Sequence, residues 1–260
     1  MAVSAIFYAI QFNNYLAGKD YDAIVIRGDR FEMLGISMAA VYKGFKVIHI
    51  EGGDLSGAID GKVRHAITQL ADFHFVTNEE SHKRIISMGI SPSKVWDFGS
   101  LDVEFASKVP VGRRIGKSYI LVAYHPIEDE DEKELDRALG YFEKYAIIRT
   151  RSNKDYGRTY GNEQFAPEEY INLMRGAEIC IGNSSSLLKE ASILKVPVVL
   201  IGERQKNRLM PYNVLKVPCE AEKIRLAINF QAQNNYKKDL IYYKLNTSKK
   251  ICQTVRKVLK

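Results

Sequence analysis

A run of three serines is the part of the sequence whose residue types indicate chemistry most directly. A short apolar stretch precedes it, and a helical pattern over Leu187–Leu194 follows. Backbone N–H groups at a helix start, together with serine hydroxyls, bind anions, and phosphate is the natural ligand. A serine that simply caps the helix is an equally good interpretation of the turn taken alone. Glu190, four residues after Ser186, could accept a hydrogen bond from a ribose hydroxyl. The residues of the turn are Gly182, Asn183, Ser184, Ser185 and Ser186.

Three carboxylates in the first half form a second candidate group. Asp29 and Glu51 each follow an apolar run and lie beside glycine, which allows close approach of a ligand. Asp60 precedes Arg64 by four residues, so both are expected on one helix face. Such carboxylates suit the removal and return of a carbon-bound proton, and the arginine could hold a carboxylate or a sugar oxygen. Each residue taken singly is more commonly a cap or an exposed ion pair.

Basic side chains after two later apolar runs could complete the site. His125 ends one run and is followed by Pro126, so it could act as an acid or as a hydrogen-bond donor to phosphate. Arg204 and Arg208 follow another run and could close over the same ligand, although surface salt bridges are the simpler interpretation of both. His49 lies inside an apolar run and is expected to be packed. The other histidines show no metal-ligand spacing with an acid or a thiol, so we expect no metal.

The elements that must position these groups alternate regularly between short β-rich apolar runs and helical patterns. This alternation predicts βα units and a parallel sheet. Polar clusters follow several of the runs, at the strand ends where open α/β sheets build ligand sites. The predicted strands are Ala23–Ile26, Lys46–Ile50, Phe73–Thr77, Lys94–Phe98, Tyr119–Ala123, Ala146–Thr150, Ile179–Ile181 and Pro197–Ile201.

The domain organisation follows from a segment at 107–114 that holds proline, glycine and charge but no periodicity. It predicts a boundary between two doubly wound domains. We expect a first domain over 1–108, a second over 109–240 and a basic helix over 241–260. The first domain would hold about four strands, which is short for a Rossmann-like half. Met1–Leu16 is apolar but lacks the basic start of a signal peptide. We therefore expect it to form a helix that enters a core.

Composition excludes several classes of protein. The chain has 260 residues, 46% hydrophobic and 27% charged, an ordinary globular balance. The net charge of +7 lies in the last 25 residues, where eight Lys or Arg face one Asp, so nucleic-acid binding is not favoured. No apolar run approaches the length needed to span a membrane. The three cysteines are Cys180, Cys219 and Cys252; their number is odd and their spacing wide, which favours a reducing cytoplasm over a disulfide or zinc scaffold.

Taken together, the motifs resemble those of the UDP-N-acetylglucosamine 2-epimerases, and most closely the hydrolysing branch that makes N-acetylmannosamine for sialic-acid-type sugars. The resemblance implies an α/β, GT-B-like fold of two Rossmann-like, doubly wound parallel-sheet domains with a cleft between them, the first domain lacking its usual N-terminal portion. The stretches that carry it are Arg27–Met33, His49–Gly53, Ser56–Asp60, Arg64–Thr68, Gly99–Asp102, His125–Pro126, Gly182–Ser186 and Gly202–Arg208.

The resemblance also implies a reaction: elimination of UDP from UDP-N-acetylglucosamine, or a related UDP-diacetamido sugar, followed by hydration to a free N-acetylmannosamine-type sugar. Asp29, Glu51 and Asp60 would be the acid/base carboxylates, with Arg64 and His125 supporting the sugar and diphosphate. It implies no cofactor, a homo-oligomer, and neither nucleic acid nor membrane as a partner. The residues that would hold UDP are Gly182, Asn183, Ser184, Ser185, Ser186, Glu190, Arg204 and Asp102.

Three departures from the family pattern favour an alternative. The family's first strand and its Gly-Thr-Arg type turn have no counterpart here, and Leu187 replaces the usual glycine after the serines, which would crowd the phosphates. The loop containing Asn153, Asp155 and Gly157 looks shortened. The alternative is a truncated or degenerate member that binds UDP weakly or needs a complementing chain. A GT-B glycosyltransferase would share the fold but would not need three carboxylates in the first half.

Overall fold

The chain folds into two compact units, each built on a parallel sheet. The computed structural model describes residues 2–55, 60–112, 116–126, 129–151, 161 and 163–260. The family-like stretch at 56–59, part of the predicted boundary at 113–115, and the loop of Asn153, Asp155 and Gly157 lie outside the described residues. The first unit comprises Met1–Glu104, Lys206–Arg208 and Tyr242–Lys260, and the second comprises Phe105–Gln205 and Leu209–Ile241.

The first unit contains a four-stranded parallel sheet in the order β1-β2-β3-β4. Val47 and Ile48, adjacent in the second strand, point to opposite faces. Val47 packs with Ile26, whereas Ile48 packs with Ile251 of the last helix, so both faces of the sheet are covered. The elements are α1 (Ala2–Tyr15), β1 (Ala23–Arg27), α2 (Phe31–Tyr42), β2 (Lys46–Ile50), α3 (Asp60–Leu70), β3 (Phe73–Val76), α4 (Glu79–Ser87), β4 (Val95–Asp97), α5 (Leu101–Lys108) and α10 (Thr247–Val258).

The second unit contains a five-stranded parallel sheet in the order β6-β5-β7-β8-β9. All five residues of β5 are buried, as expected for a central strand covered on both faces. A large apolar cluster forms where β5, β7 and β8 pack against α6 and α9. The elements are β5 (Tyr119–Ala123), α6 (Asp129–Leu139), β6 (Ala146–Arg149), α7 (Pro167–Gly176), β7 (Ile179–Gly182), α8 (Glu190–Leu194), β8 (Val198–Ile201), β9 (Val214–Val217) and α9 (Ala221–Gln231).

All eight predicted strands are present, with ends that shift by at most one residue. The ninth, β9, was not predicted from the sequence. It has four half-buried residues and pairs only with β8, between Pro211 and Pro218. A run this short and only partly buried does not stand out from a loop by its pattern.

The expected N-terminal helix is present, and the chain enters a core at its end, where Leu16 is buried and Phe12 packs against the same apolar cluster. No residue of Ala2–Tyr15 is buried. Its small residues pack on α2, where a Cβ at Gly35 would lie 2.4 Å from the Ala5 carbonyl oxygen. The large residues lie on the other side, with Val3 81% and Phe7 56% exposed. In the part of the chain that is described, no helix is long and apolar enough to cross a membrane.

Candidate functional site

Asp29 and Glu51 lie beyond the carboxyl ends of neighbouring parallel strands. Arg27, which ends β1, is in register with Ile50, which ends β2, and the next residue, Gly28, donates its N–H to the Ile50 carbonyl at 3.1 Å. Glu51 has φ 67°, a left-handed conformation that is rare for a residue with a side chain. Such strain is typical of functional sites and fixes the direction in which the side chain leaves the backbone.

Arg64 provides a buried cation for Asp29. Its side chain, on α3, is 3% exposed and forms an ion pair with the Asp29 carboxylate. It also donates to the carbonyl oxygen of Asp54 at 2.7 Å. Burial, followed by the nearby charges of Arg208 and Arg84, lowers the pKa of Arg64 to about 9. The guanidinium is therefore still charged at neutral pH.

Arg27 joins two of the predicted acidic residues and is a site residue that the sequence analysis did not single out. Its guanidinium binds Glu51 at 3.2 Å and also pairs with Asp102, at the start of α5. Burial alone would lower the pKa of Arg27, but the ion pairs with Glu51 and Asp102 outweigh it and raise the pKa. The sequence signals for Arg27 were its position at a strand end and its place in the family-like stretch Arg27–Met33. In the structure Asp102, expected to bind UDP, is a partner of Arg27.

Three arginines hold the loop that follows β2. Each donates to a different carbonyl group, and the three carbonyls are consecutive in the chain. Arg208, predicted to close over the ligand with Arg204, lies in the first unit, whereas Arg204 belongs to the second. The pairs are Arg84 with Gly53, Arg64 with Asp54, and Arg208 with Leu55, the last at 3.1 Å.

The Asp54 side chain ties the same loop to the start of α4 and was also missed from the sequence. Asp54 is 5% exposed, and its carboxylate accepts from Ser81 Oγ at 2.6 Å and from Asn78 Nδ2 at 3.2 Å. Asn78 in turn caps α4 by accepting from the Ser81 N–H at 2.9 Å. Asp54 thus fixes the loop from which Glu51 projects.

His49 is packed inside the first unit, as expected. Its Nε2 lies 3.0 Å from the Gly28 carbonyl oxygen and its Nδ1 lies 3.2 Å from Thr68 Oγ1. Burial lowers the pKa of His49 to about 4, so the ring is neutral and holds the residue that precedes Asp29. The side chain of Asp60, the first residue of α3, lies outside the described part of the chain.

A cavity of about 270 Å³ opens in the second unit at the carboxyl ends of its strands. Its lining includes the serine turn, His125, Arg151 and, from α7, Tyr170. Hydroxyl groups are linked along one wall, with Ser184 Oγ 3.0 Å from Ser186 Oγ. Hydroxyl and guanidinium donors in one small cavity can bind an anionic ligand.

The two residues before the serines build the turn itself. Gly182 has φ 144°, and a Cβ there would lie 2.0 Å from the Ala123 carbonyl oxygen, so only glycine fits. The buried Asn183 accepts from the His125 N–H and donates to the His125 carbonyl oxygen, both at 2.8 Å. Gln205 also donates to the Asn183 carbonyl at 2.8 Å. Asn183 therefore positions the loop of His125.

His125 lies in this cavity as a neutral group at physiological pH. Burial, and then the charge of Arg204, lowers the pKa of His125 to about 4. The imidazole can then donate only one hydrogen bond and accept another. Arg204 supplies the positive charge beside it.

The helix after the serines begins later than predicted. Ser185–Leu187 forms a 3-10 turn, and α8 runs only over Glu190–Leu194. The expected helix start at the serines is therefore wrong, and it is the Ser184 and Ser186 side chains that line the cavity there. Leu187 is fully buried and does not line the cavity, so its side chain does not crowd it. Glu190 is the first residue of α8.

The structure thus gathers the predicted residues into two clusters, one in each unit. Across the described ranges, no group of three His, Cys, Asp or Glu side chains could hold a metal ion. The first cluster contains Asp29, Glu51, Arg64 and Asp102, and the second contains His125, Arg204 and the turn from Gly182 to Ser186.

Two Rossmann-like parallel-sheet units with polar clusters at their strand ends define a GT-B-like α/β protein. A sequence model of the UDP-N-acetylglucosamine 2-epimerases matches residues 2–256. The chain belongs to this family.

Curated relatives are similar over most of this chain. It is 31% identical to polysialic acid biosynthesis protein P7 of Escherichia coli, over 86% of this chain and 66% of that protein. It is 30% identical to the GDP/UDP-N,N'-diacetylbacillosamine 2-epimerase (hydrolyzing) of Campylobacter jejuni, over 75% of this chain and 59% of that protein. The chain therefore spans about two thirds or less of the length of these relatives.

Solved structures share the fold at low sequence identity. The Methanocaldococcus jannaschii UDP-GlcNAc 2-epimerase in complex with UDP-GlcNAc and UDP has a TM-score of 0.79 at 17% identity, covering 96% of this chain and 80% of that one. The Neisseria meningitidis UDP-GlcNAc 2-epimerase bound to UDP-GlcNAc has a TM-score of 0.77 at 17% identity, covering 97% and 81%.

Proposed function

We propose that this chain is a hydrolysing 2-epimerase of a UDP-N-acetylhexosamine. The substrate is UDP-N-acetylglucosamine or a related UDP-diacetamido sugar, and the products are UDP and a free sugar of the N-acetylmannosamine type. The observation that carries the proposal is the paired arrangement at the ends of β1 and β2. There Asp29 is held by the buried Arg64 and Glu51 by Arg27.

Two fixed carboxylates suit the two proton transfers of this reaction. One carboxylate removes the proton from C2, the C1–O bond to UDP breaks, and a C1–C2 double bond forms. Water then adds its hydroxyl to C1, and a proton returns to C2 on the opposite face. Asp29 and Glu51 are the described candidates, and the family resemblance adds Asp60 as a third. The cations that hold Asp29 and Glu51 keep the two carboxylates oriented.

The second cluster suits the nucleotide part of the substrate. The Ser184 hydroxyl, the Arg204 guanidinium and one ring N–H of His125 are donors for phosphate oxygens. Gly182 and Asn183 shape this turn, and we assign Ser185 to it as well. We assign Glu190 to the ribose, as the family resemblance implies.

The curated relatives leave two classes of sugar to compare, because one is named for diacetylbacillosamine and another, from Neisseria meningitidis, for UDP-N-acetylglucosamine. We expect a cytoplasmic enzyme, since the three cysteines are unpaired thiols. We also expect it to supply sialic-acid-type pathways, as the family resemblance implies. A homo-oligomer stays a prediction.

The test is a measurement of UDP release by the purified chain from UDP-N-acetylglucosamine and from UDP-N,N'-diacetylbacillosamine. We expect turnover of at least one, and the faster substrate assigns the sugar. Glu51→Gln should abolish turnover and leave UDP affinity within about threefold, since Glu51 lies in the other unit from the serine turn. Absence of UDP release from both sugars by folded protein would contradict the proposal and favour the truncated, inactive alternative.

A further inference from the structure

A chain of three hydroxyl groups lies along the cavity of the second unit. The Tyr170 hydroxyl is 2.7 Å from Ser186 Oγ, and Ser186 Oγ is 3.0 Å from Ser184 Oγ. All three side chains line the cavity. Tyr170 belongs to α7, sixteen residues before Ser186, so the chain of hydroxyls connects a helix to the turn after β7.

An anion bound at one end would set the direction of every hydrogen bond in this chain. Each hydroxyl has a single proton. If Ser184 donates its proton to an oxygen of the anion, it must accept from Ser186, and Ser186 must then accept from Tyr170. Aligned hydrogen bonds polarise one another and strengthen the outermost donor.

Tyr170 is suited to be the donor that starts the chain. Burial raises the pKa of the Tyr170 phenol well above its usual range, so the phenol keeps its proton at neutral pH. A phenol is also a better hydrogen-bond donor than an aliphatic hydroxyl, because it is the stronger acid. Without the Tyr170 hydroxyl as a donor, nothing constrains Ser186 to direct its proton toward Ser184.

We propose that Tyr170 is a positioning residue for nucleotide binding, whose hydroxyl orients Ser186 and Ser184 so that Ser184 donates to a phosphate oxygen of the ligand. This inference rests on the proposed function, which makes UDP the ligand. It adds a residue outside the serine turn that acts on the ligand only through the serines.

The experiment is calorimetric titration of UDP into four proteins: the unmodified chain, Tyr170→Phe, Ser184→Ala and the double variant. Tyr170→Phe should weaken UDP binding about five- to tenfold, the loss expected for one hydrogen bond between neutral groups. The double variant should bind no more weakly than Ser184→Ala alone, because Tyr170 acts through Ser184. Independent, multiplying losses would overturn the proposal.

Tyr119→Phe is the matched control. The Tyr119 hydroxyl is buried and donates at 2.7 Å to the carbonyl oxygen of Leu173, which lies in α7 with Tyr170. Tyr119 does not line the cavity. The Tyr119→Phe variant should bind UDP with an affinity within about twofold of that of the unmodified chain. If Tyr119→Phe weakens UDP as much as Tyr170→Phe does, the effect is a general disturbance of α7 and the proposal is wrong.

Three further outcomes keep the test decisive. If Tyr170→Phe does not fold, Ser186→Ala breaks the same chain in its middle and should show the same loss and the same lack of additivity with Ser184→Ala. If the unmodified chain does not bind UDP, the nucleotide assignment itself fails, and that result is seen before any variant is made. Unchanged UDP affinity in Tyr170→Phe would overturn the role of Tyr170 while leaving the proposed function intact.

Discussion

The side-chain amide of Asn183 forms two hydrogen bonds with the backbone of His125, one to the N–H and one to the carbonyl group. The amide donates to the His125 carbonyl oxygen and accepts from the His125 N–H, each at 2.8 Å. Asn183 follows β7 and His125 follows β5, and these strands are neighbours in the sheet. The two loops that carry the second cluster are therefore one structural piece.

Asn183→Asp tests this connection. The new carboxylate oxygen would face the His125 carbonyl oxygen where the amide N–H now donates, in a buried position. We expect a loss of about 2–3 kcal/mol in the free energy of unfolding, the cost of an unsatisfied buried carbonyl beside a charge. Urea unfolding gives this value. The exposed Asn235→Asp serves as control, and equal stability of the two variants would contradict the connection.

Leu187→Gly separates packing from crowding. Leu187 is fully buried, so its removal leaves a cavity and should cost about 3–5 kcal/mol of stability. UDP affinity should not improve, because the side chain does not line the cavity. The check is thermal unfolding together with UDP titration. Tighter UDP binding by a folded variant would show instead that Leu187 obstructs the phosphates.

The low pKa of His125 predicts a change in stability with pH. The folded-state pKa is about 4, below the ordinary value of 6.5. As the pH falls from 6.5 to 4, the unfolded chain takes up a proton before the folded chain does, so the free energy of unfolding decreases. This decrease levels off below about pH 4. His125→Gln removes this contribution, and its stability should fall less between pH 6.5 and 4. Parallel pH profiles of urea unfolding would contradict the burial of His125.

Asp54→Asn tests the loop that carries Glu51. Ser81 and Asn78 both donate to Oδ1, so the amide keeps this acceptor but removes its charge, and we expect a loss of about 1–2 kcal/mol in stability because hydrogen bonds to a charged group are about twice as strong. Turnover should fall by at least about tenfold while UDP affinity stays unchanged, because a loosened loop misplaces Glu51 but leaves the second unit intact. Steady-state kinetics and UDP titration measure the two effects. The exposed Asp20→Asn should change neither, and full activity of Asp54→Asn would refute this role of the loop.

The strands of the sheets could be predicted because their apolar pattern reflects burial. Every residue of β5 is buried, and its sequence is correspondingly apolar throughout. The half-buried β9 at a sheet edge gives no such pattern and was missed. The same limit applies to the N-terminal helix, whose apolar residues do not show by pattern which of them are covered: Phe12 packs against the core, whereas Val3 and Phe7 are exposed.

Partnerships between distant side chains could not be predicted from spacing. Arg27 meets Glu51, 24 residues away, and Asp102, 75 residues away, because of the order and register of the strands. Asp54 was overlooked because its partners come from a different βα unit. The serine turn was located correctly, but the start of its helix was not, since a 3-10 turn and an α-helix have almost the same sequence preferences.

The most direct test of the central claim is proton NMR of the purified chain with UDP-N-acetylglucosamine in deuterated water. We predict release of UDP and a free N-acetylmannosamine that carries deuterium at C2, since a proton removed by one carboxylate is replaced from solvent. Free sugar that retains its original C2 proton would contradict the proposed elimination and hydration at Asp29 and Glu51.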